Sequence, residues 1–412
     1  LFNKKFYRSY IRGYTTLKMQ GKLDLIQKLK KELTIKKVNF KTKNYDKYLF
    51  LGSNNVDKEI IIRQLLLARL LNLNFNKKIL NFFGNKKNKV IYPLPIDWLK
   101  LISEKDIKVN IFISVLYWKF ICFQYILKSF QYYLKILLGT LISPINKIIF
   151  SRESVYLENI PNQMITNDFQ KNNFYAWIRN HLQNKISRNF YIFINNKKSF
   201  ISFDYKYKKY FFLLDPFSKL SSRYKIINFS IWYIQFLILS LIDLIFFEGY
   251  RAFILSESMK SKIYQVNKYS INFKYLFFHN SNWIYRPLWT YIAEKYGAEN
   301  ILYFYSSNIV TLSESKKIED IINYGWKSCT WSKYYAWDKY MADFLKISIK
   351  NPKIYISGII PFYTSKKKTL NYPQIKGKVI SLFDVQPVRD SFYKSLGLSY
   401  QYYTPEICIK FL

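Results

Sequence analysis

The run YLFFHNSNWIYRPLWTYIAEKYGAENILYFYSSN, residues 275–308, limits the fold more than any other stretch of the chain. An apolar segment, Tyr275–Phe278, breaks into His279, Asn280, Ser281 and Asn282. A helix-like segment then opens near Arg286-Pro287 and ends at Gly297. Proline near a helix start and glycine just past its end is the expected asymmetry. A second apolar segment, Ile301–Tyr305, breaks in turn into Ser306, Ser307 and Asn308. Two strands, each ending in a polar cluster, with a helix between them, make a βαβ unit. Open α/β sheets bind their ligands at the carboxyl ends of the strands.

The same alternation extends in both directions. Strands are expected at Val155–Leu157, Phe190–Ile194, Phe211–Leu214, Phe253–Leu255, Tyr334–Trp337 and Ile354–Ile356. Helices are expected over 172–184, 226–247, 257–265, 286–296 and 338–347. The pattern predicts a mostly parallel sheet with helices on both faces. Before it, residues 1–150 read as a mostly helical region, with helical spacing over Asp57–Leu71, a helix near Asp97–Ser103 and an apolar helical stretch over 111–141. Residues 151–357 then form a Rossmann-like domain. Residues 358–377, with Pro361, Pro373, Gly377 and the basic run Lys366–Lys368, read as a linker. A new strand, Val379–Phe383, opens a second α/β unit over 378–412. The chain starts at Leu1 and stops inside a periodic segment, so it reads as a fragment whose second domain is cut short.

The formal net charge of +39 suggests nucleic acid at first sight. Lys, Asn, Ile, Tyr and Phe are abundant together while Gly and Pro number only 11 each, the set that AT-rich codons give. The lysines are spread along the chain and no RRM, KH or OB signature accompanies them, so an RNA-binding protein is the weakest of the readings. A basic surface favours anionic partners such as nucleotide diphosphates and lipid headgroups. The three cysteines, Cys122, Cys329 and Cys408, lie far apart and show neither a disulfide framework nor CxxC metal spacing. Two histidines, His181 and His279, do not make a metal site, and no metal or cofactor is expected. Two segments are apolar enough to test for membrane insertion. Ile111–Leu141 carries Lys119, Lys128 and Lys135; Phe229–Phe247 holds Gln235 and Asp243. Charges within a span disfavour crossing a bilayer, clearly for the first segment, while the second stands closer to the limit and leaves a crossing open. Both segments fit a buried helix, or one lying in the membrane interface with basic flanks on anionic headgroups.

No Walker A loop, GxGxxG, GxSxG or HExxH is present, which sets aside the common nucleotide hydrolases, dinucleotide dehydrogenases and zinc proteases. Candidate chemistry therefore rests on strand ends. His279, with Asn280 beside it, is placed to act as a general base or phosphate contact, or is simply a solvated or core-bridging histidine. Arg286 can hold a phosphate in bidentate fashion, or pair with Glu294. Glu257, expected just after the strand Phe253–Leu255, is a base or a first-turn acid. Ser306, Ser307 and Asn308 offer donors to an oxyanion, or an ordinary turn. Asp384, Gln386 and Arg389 follow the strand Val379–Phe383, as ligand contacts or as the cap and first turn of a helix. Trp326, Trp331 and Trp337 read as strand core.

The segments YRPLWTYIAEKYGAENILYFYSSN (285–308), YYAWDKYMADFL (334–345), GIIPFYTS (358–365) and LFDVQPVRDSFYKSLGLSYQYYTPEICIKFL (382–412) resemble the bacterial polysaccharide biosynthesis PFTS-motif protein family. YPLPIDWLKLI (92–102) and VYLENIP (155–161) add to the likeness. The chain departs from Pro-Phe-Thr-Ser in that Tyr363 separates Pro361-Phe362 from Thr364-Ser365. The resemblance implies a role in making capsule, O-antigen or another surface glycan. It also implies a glycosyltransferase-like GT-B architecture of two facing Rossmann-type domains, with the acceptor on the first and a nucleotide-sugar donor mainly on the second. Such a protein would work in the cytoplasm, peripheral on the inner face of the cytoplasmic membrane, on a glycan or lipid-linked acceptor. A non-catalytic glycan-binding or envelope-assembly protein on the same fold is the alternative.

Overall fold

The computed structural model describes residues 25–26, 28–33, 58–70, 73–84, 89–142, 144, 154–158, 178, 192–195, 211–212, 216–270, 273–279, 284–304 and 324–358. Helices α1 (Lys58–Leu70), α2 (Leu73–Gly84), α3 (Ile96–Ser103) and α4 (Ile111–Ile142) come first. Strands β1 (Ser154–Glu158), β2 (Ile192–Asn195) and β3 (Phe211–Phe212) follow. Next come α5 (Lys225–Phe246), α6 (Tyr250–Asn267), β4 (Phe273–His279), α7 (Leu288–Lys295) and β5 (Glu299–Tyr303). A 3-10 turn at Tyr324–Ser328, β6 (Lys333–Ala336), α8 (Lys339–Ser348) and β7 (Ile354–Ile356) complete the described order.

The strands form one seven-stranded sheet in the order β3-β2-β1-β4-β5-β6-β7. Every pairing in it is parallel. This is a mixed α/β fold with a parallel sheet, as the alternating pattern predicts. The order runs outward in both directions from β1 and β4, so the chain reverses its direction of travel between those two strands. In sheets wound this way, that reversal opens a crevice beyond the strand ends.

Strands β4 and β5 are buried almost throughout, which explains their unbroken apolar runs. Trp289 of α7 fixes the helix to the sheet: its ring lies 5.1 Å from Tyr156, 5.5 Å from Tyr264 and 5.0 Å from Phe217. Pro287, extended at ψ 135°, stands at the N-cap of α7. Gly297, at φ +93°, takes the left-handed conformation past its last turn. Asp338 caps α8 by accepting from the Met341 amide at 2.8 Å.

One strand expected from the sequence is absent. Phe253–Leu255 lies inside α6, not on a strand. Tyr250 to Leu255 are consecutively buried, so the helix enters the interior on all sides and shows no amphipathic period. A short apolar run of this kind cannot be told from a strand by periodicity. Helix α2 was not anticipated, although Phe75, Ile79, Leu80 and Phe82 bury one face of it. Val90, just before Pro93 and Pro95, forms only an isolated bridge to Val109. The linker 358–377, apart from Gly358, and the strand Val379–Phe383 lie outside the described residues.

The chain divides into two compact units: Leu1–Lys36 with Leu66–Trp118 and Ser365–Leu412, and Lys37–Leu65 with Lys119–Thr364. Within the first, Trp98, Leu99 and Ile102 of α3 form a buried core. Tyr92 sits against Phe75 at 5.1 Å and donates to the Arg69 carbonyl at 3.0 Å. The second unit contains the whole sheet.

In that second unit, α4 and α5 run side by side in opposite directions. Lys119 Nζ reaches the Ile245 carbonyl at 2.9 Å, while Tyr133 stacks on Tyr233 at 4.2 Å and donates to Ser230 at 2.8 Å. Both pass a length-and-composition test for crossing a membrane, with mean hydropathy 1.4 for Ile111–Ile142 and 2.0 for Lys225–Phe246. Asp243, the acid within α5, turns inward and is held by the Arg251 amide at 2.8 Å and its guanidinium at 3.2 Å. In the turn from α5 to α6, Gly249 stands at φ +78°, and a Cβ there would meet Cys122 Sγ of α4 at 3.2 Å.

Candidate functional site

The reversal between β1 and β4 places three strand ends side by side. Strand β1 ends on Glu158, β4 on His279 and β5 on Tyr303. His279 and Tyr303 are direct partners in the register, and their rings lie 6.4 Å apart. Helix α6 brings Glu257 and Lys260 to the same place, and the loop before α7 brings Tyr285.

Glu257 organises the group. Its Oε1 accepts from Lys260 Nζ at 2.9 Å, and its Oε2 accepts from the Tyr285 hydroxyl at 2.9 Å. Glu158 feels both partners. Burial raises its carboxyl to about 7, the Lys260 charge pulls it down, and the Glu257 charge pushes it up. The result is a carboxyl group that exchanges its proton near neutrality, beside a second carboxylate held by a lysine and a tyrosine. A carboxyl raised to near neutrality by burial beside a specific charged partner is a mark of acid–base chemistry. Burial also raises the phenols of Tyr285 and Tyr303, helped by Glu257 in the first and by Glu158 in the second, so both stay protonated as donors. Burial lowers the imidazole of His279, which favours its neutral form.

The sequence-derived candidates fall in three groups. His279 stands at a strand end, as expected. Glu257 reaches the strand ends by another route: it is inside helix α6, not after a strand, so the reason for choosing it is corrected although its position is at the site. Arg286 is a buried structural hub. Its guanidinium donates to Thr290 at 3.0 Å and to the Thr330 carbonyl at 2.7 Å, pairs with Glu294 and lies 3.9 Å over the Tyr291 ring. Its amide donates to Gln64. The ion pair with Glu294, one of the two roles its sequence allows, is present. Asn280, Ser306, Ser307, Asn308, Asp384, Gln386 and Arg389 lie outside the described residues.

Of the three tryptophans, Trp326 and Trp331 are buried, as core residues, but Trp326 lies in the 3-10 turn. Trp337 sits beyond β6 and donates its indole N–H to the Phe304 carbonyl.

Glu158, Lys260 and Tyr285 went unread in the sequence. Glu158 directly follows the expected strand Val155–Leu157, so the rule that picked out His279 also applies to it. Lys260 stands three residues after Glu257, one helical turn away. Nothing in the sequence joins Tyr285 to Glu257, because that contact depends on where α6 crosses the sheet. Among the described residues, no group of three His, Cys, Asp or Glu side chains could hold a metal ion.

No curated protein and no solved structure matches this chain. Residues 232–412, which contain α6, β4, α7 and β5 and five of the six residues of the cluster, all but Glu158, match the model of the family described as polysaccharide biosynthesis PFTS motif protein.

Proposed function

We propose that this protein transfers a sugar from a nucleotide-sugar to a glycan or lipid-linked acceptor in the synthesis of a bacterial surface polysaccharide, capsule or O-antigen. The described sheet would be the acceptor-side domain of a GT-B pair. The observation that carries this reading is the cluster at the β1/β4 reversal: a carboxyl group near pH 7, Glu158, facing Glu257, in a chain matched to a polysaccharide biosynthesis family.

The chemistry follows from that cluster. An acceptor hydroxyl bound at the strand ends gives its proton to Glu158 as its oxygen attacks the anomeric carbon. The bond from that carbon to the diphosphate breaks, and the nucleoside diphosphate leaves with the electron pair. A general base works best when its pKa lies near the operating pH. Burial keeps the Glu158 carboxyl near that value, with the Glu257 charge adding to it, and Glu257, held by Lys260, fixes the Tyr285 hydroxyl beside the acceptor. Neutral His279 can accept a hydrogen bond from a second sugar hydroxyl. The segment Asp384–Arg389 would serve the donor diphosphate, with Arg389 as its cation.

The test is transfer by the full-length protein from a panel of nucleotide-sugars to a cell-envelope lipid extract. Product formed from one donor, and lost in Glu158→Gln, is the expected result. A folded full-length protein that binds no nucleotide-sugar and no nucleoside diphosphate would overturn the reading.

A further inference from the structure

The pair α4 and α5 exposes two apolar rows that nothing in the described structure covers. On α5, Ile227, Ile231, Ile234, Ile238 and Ile245 are each at least half exposed. On α4, Phe120, Phe123, Leu127, Leu134 and Leu138 are each between 41% and 59% exposed. Both rows follow the three-to-four-residue helical step. On α5 the row lies opposite Trp232, Phe236 and Asp243, which face the interior. Ten large apolar side chains this exposed on two adjacent helices differ from the singly scattered apolar residues normal on a soluble surface.

The exposed charges on the two helices themselves are of one sign. Gln124, Lys128, Gln131 and Lys135, all exposed, form a polar edge along one side of the α4 row. Arg223 is exposed just before α5. Helix α4 contains no acidic residue, and the only acid of α5, Asp243, is buried on Arg251. An aliphatic face edged by cations suits a membrane with anionic headgroups. It suits a second copy poorly, because two chains of net charge +39 would bring their lysine edges together.

The packing also fixes the depth. The inner side of α5 is tied to α6 near both ends, by Lys225 Nζ on the Val266 carbonyl at 2.7 Å and by Asp243 on Arg251. Helix α6 carries Glu257, Lys260 and Lys262. If α5 crossed the bilayer, it would carry these charges and the adjoining sheet into hydrocarbon, where each is strongly disfavoured. We propose that α4 and α5 lie in the plane of an anionic membrane, apolar rows down, with Lys128 and Lys135 on the headgroups. This is independent of the sugar-transfer reading, and either can fail without the other.

The test is flotation of the full-length protein with phosphatidylcholine vesicles, with and without phosphatidylglycerol. Binding to both, stronger and salt-sensitive with phosphatidylglycerol, is expected. The double variant Ile231→Asp/Ile238→Asp lowers the bound fraction at least ~10-fold with an unchanged melting temperature. Lys128→Glu/Lys135→Glu removes the preference for phosphatidylglycerol and leaves the remainder. Should the isoleucine variant fail to fold, Leu127→Ser/Leu134→Ser makes the same test on α4. A label at Ile227→Cys, Ile234→Cys and Ile245→Cys in turn should be quenched by brominated lipid at one shallow depth. Depths graded along the helix would overturn the in-plane placement. A folded protein that stays unbound, variants that float like the parent, or a dimer in light scattering that Ile231→Asp dissolves would each overturn the proposal.

Discussion

Replacing Glu158 by glutamine should stabilise the protein above neutral pH. The carboxyl is raised from 4.5 to about 7 in the folded state, chiefly by burial. At 1.36 kcal/mol per unit, this is about 3 kcal/mol of linkage. The folded state holds its proton more tightly than the unfolded state. The contribution is therefore fully present below pH 4.5, where both states are protonated. It fades as pH rises through 7, when the buried group must ionise. Glutamine has no proton to lose. Thermal unfolding of the two proteins at pH 4.5 and pH 8.5 measures the difference. Near-equal melting temperatures at low pH are expected, with the variant higher at pH 8.5 by roughly 6–12 °C, at ~2–4 °C per kcal/mol for a domain of this size. Equal melting temperatures at pH 8.5 would refute the idea that Glu158 is held in a disfavoured environment. A residue kept at such a position against stability is what a functional site looks like.

Arg286→Ala removes a nearly buried cation from Glu294, Thr290 and the Thr330 carbonyl. It should destabilise the second unit by ~3–5 kcal/mol in urea unfolding, and a loss below 1 kcal/mol would show that the hub is unimportant. Asp243→Ala strands Arg251 between α5 and α6 and should cost a similar ~3–5 kcal/mol in the same assay. The His279 imidazole should titrate below its ordinary value of 6.5. By linkage, the stability it contributes is present at higher pH and is lost as pH falls through that ordinary value. With two histidines in the chain, its NMR signal is readily assigned by His181→Gln, and a midpoint at or above the ordinary value would contradict the burial. Tyr285→Phe frees one oxygen of Glu257 and should lower transfer activity while leaving the fold intact, as circular dichroism would report.

The parallel sheet was legible because β4 and β5 are buried on both faces, and their apolar runs stop abruptly at polar residues. The same rule extended to Ile354–Ile356, which matches its strand residue for residue. It failed at Phe253–Leu255, because a helix buried all round carries no period to distinguish it from a buried strand. The strand order was not legible at all. Neither the reversal between β1 and β4 nor its consequence for Glu158 follows from local pattern, since β1 and β4 meet across more than a hundred residues of chain. Arg286 shows the opposite limit. Its sequence context, a polar loop before a helix, allowed two roles, and only the positions of Gln64 and Thr330 distinguish them. The family likeness was legible from contiguous motifs, and it falls where the later strands and helices lie.

The most direct measurement is the pH dependence of kcat/KM for sugar transfer, in the parent protein and in Glu158→Gln. The account predicts that the parent loses activity as pH falls through a midpoint near 7, where the base becomes protonated. In the variant that limb should vanish, and the rate above neutrality should fall by ~10²–10⁴-fold. A Glu158→Gln protein that transfers sugar at the parent's rate, with the same acid limb, would contradict the assignment of this cluster as the site of chemistry.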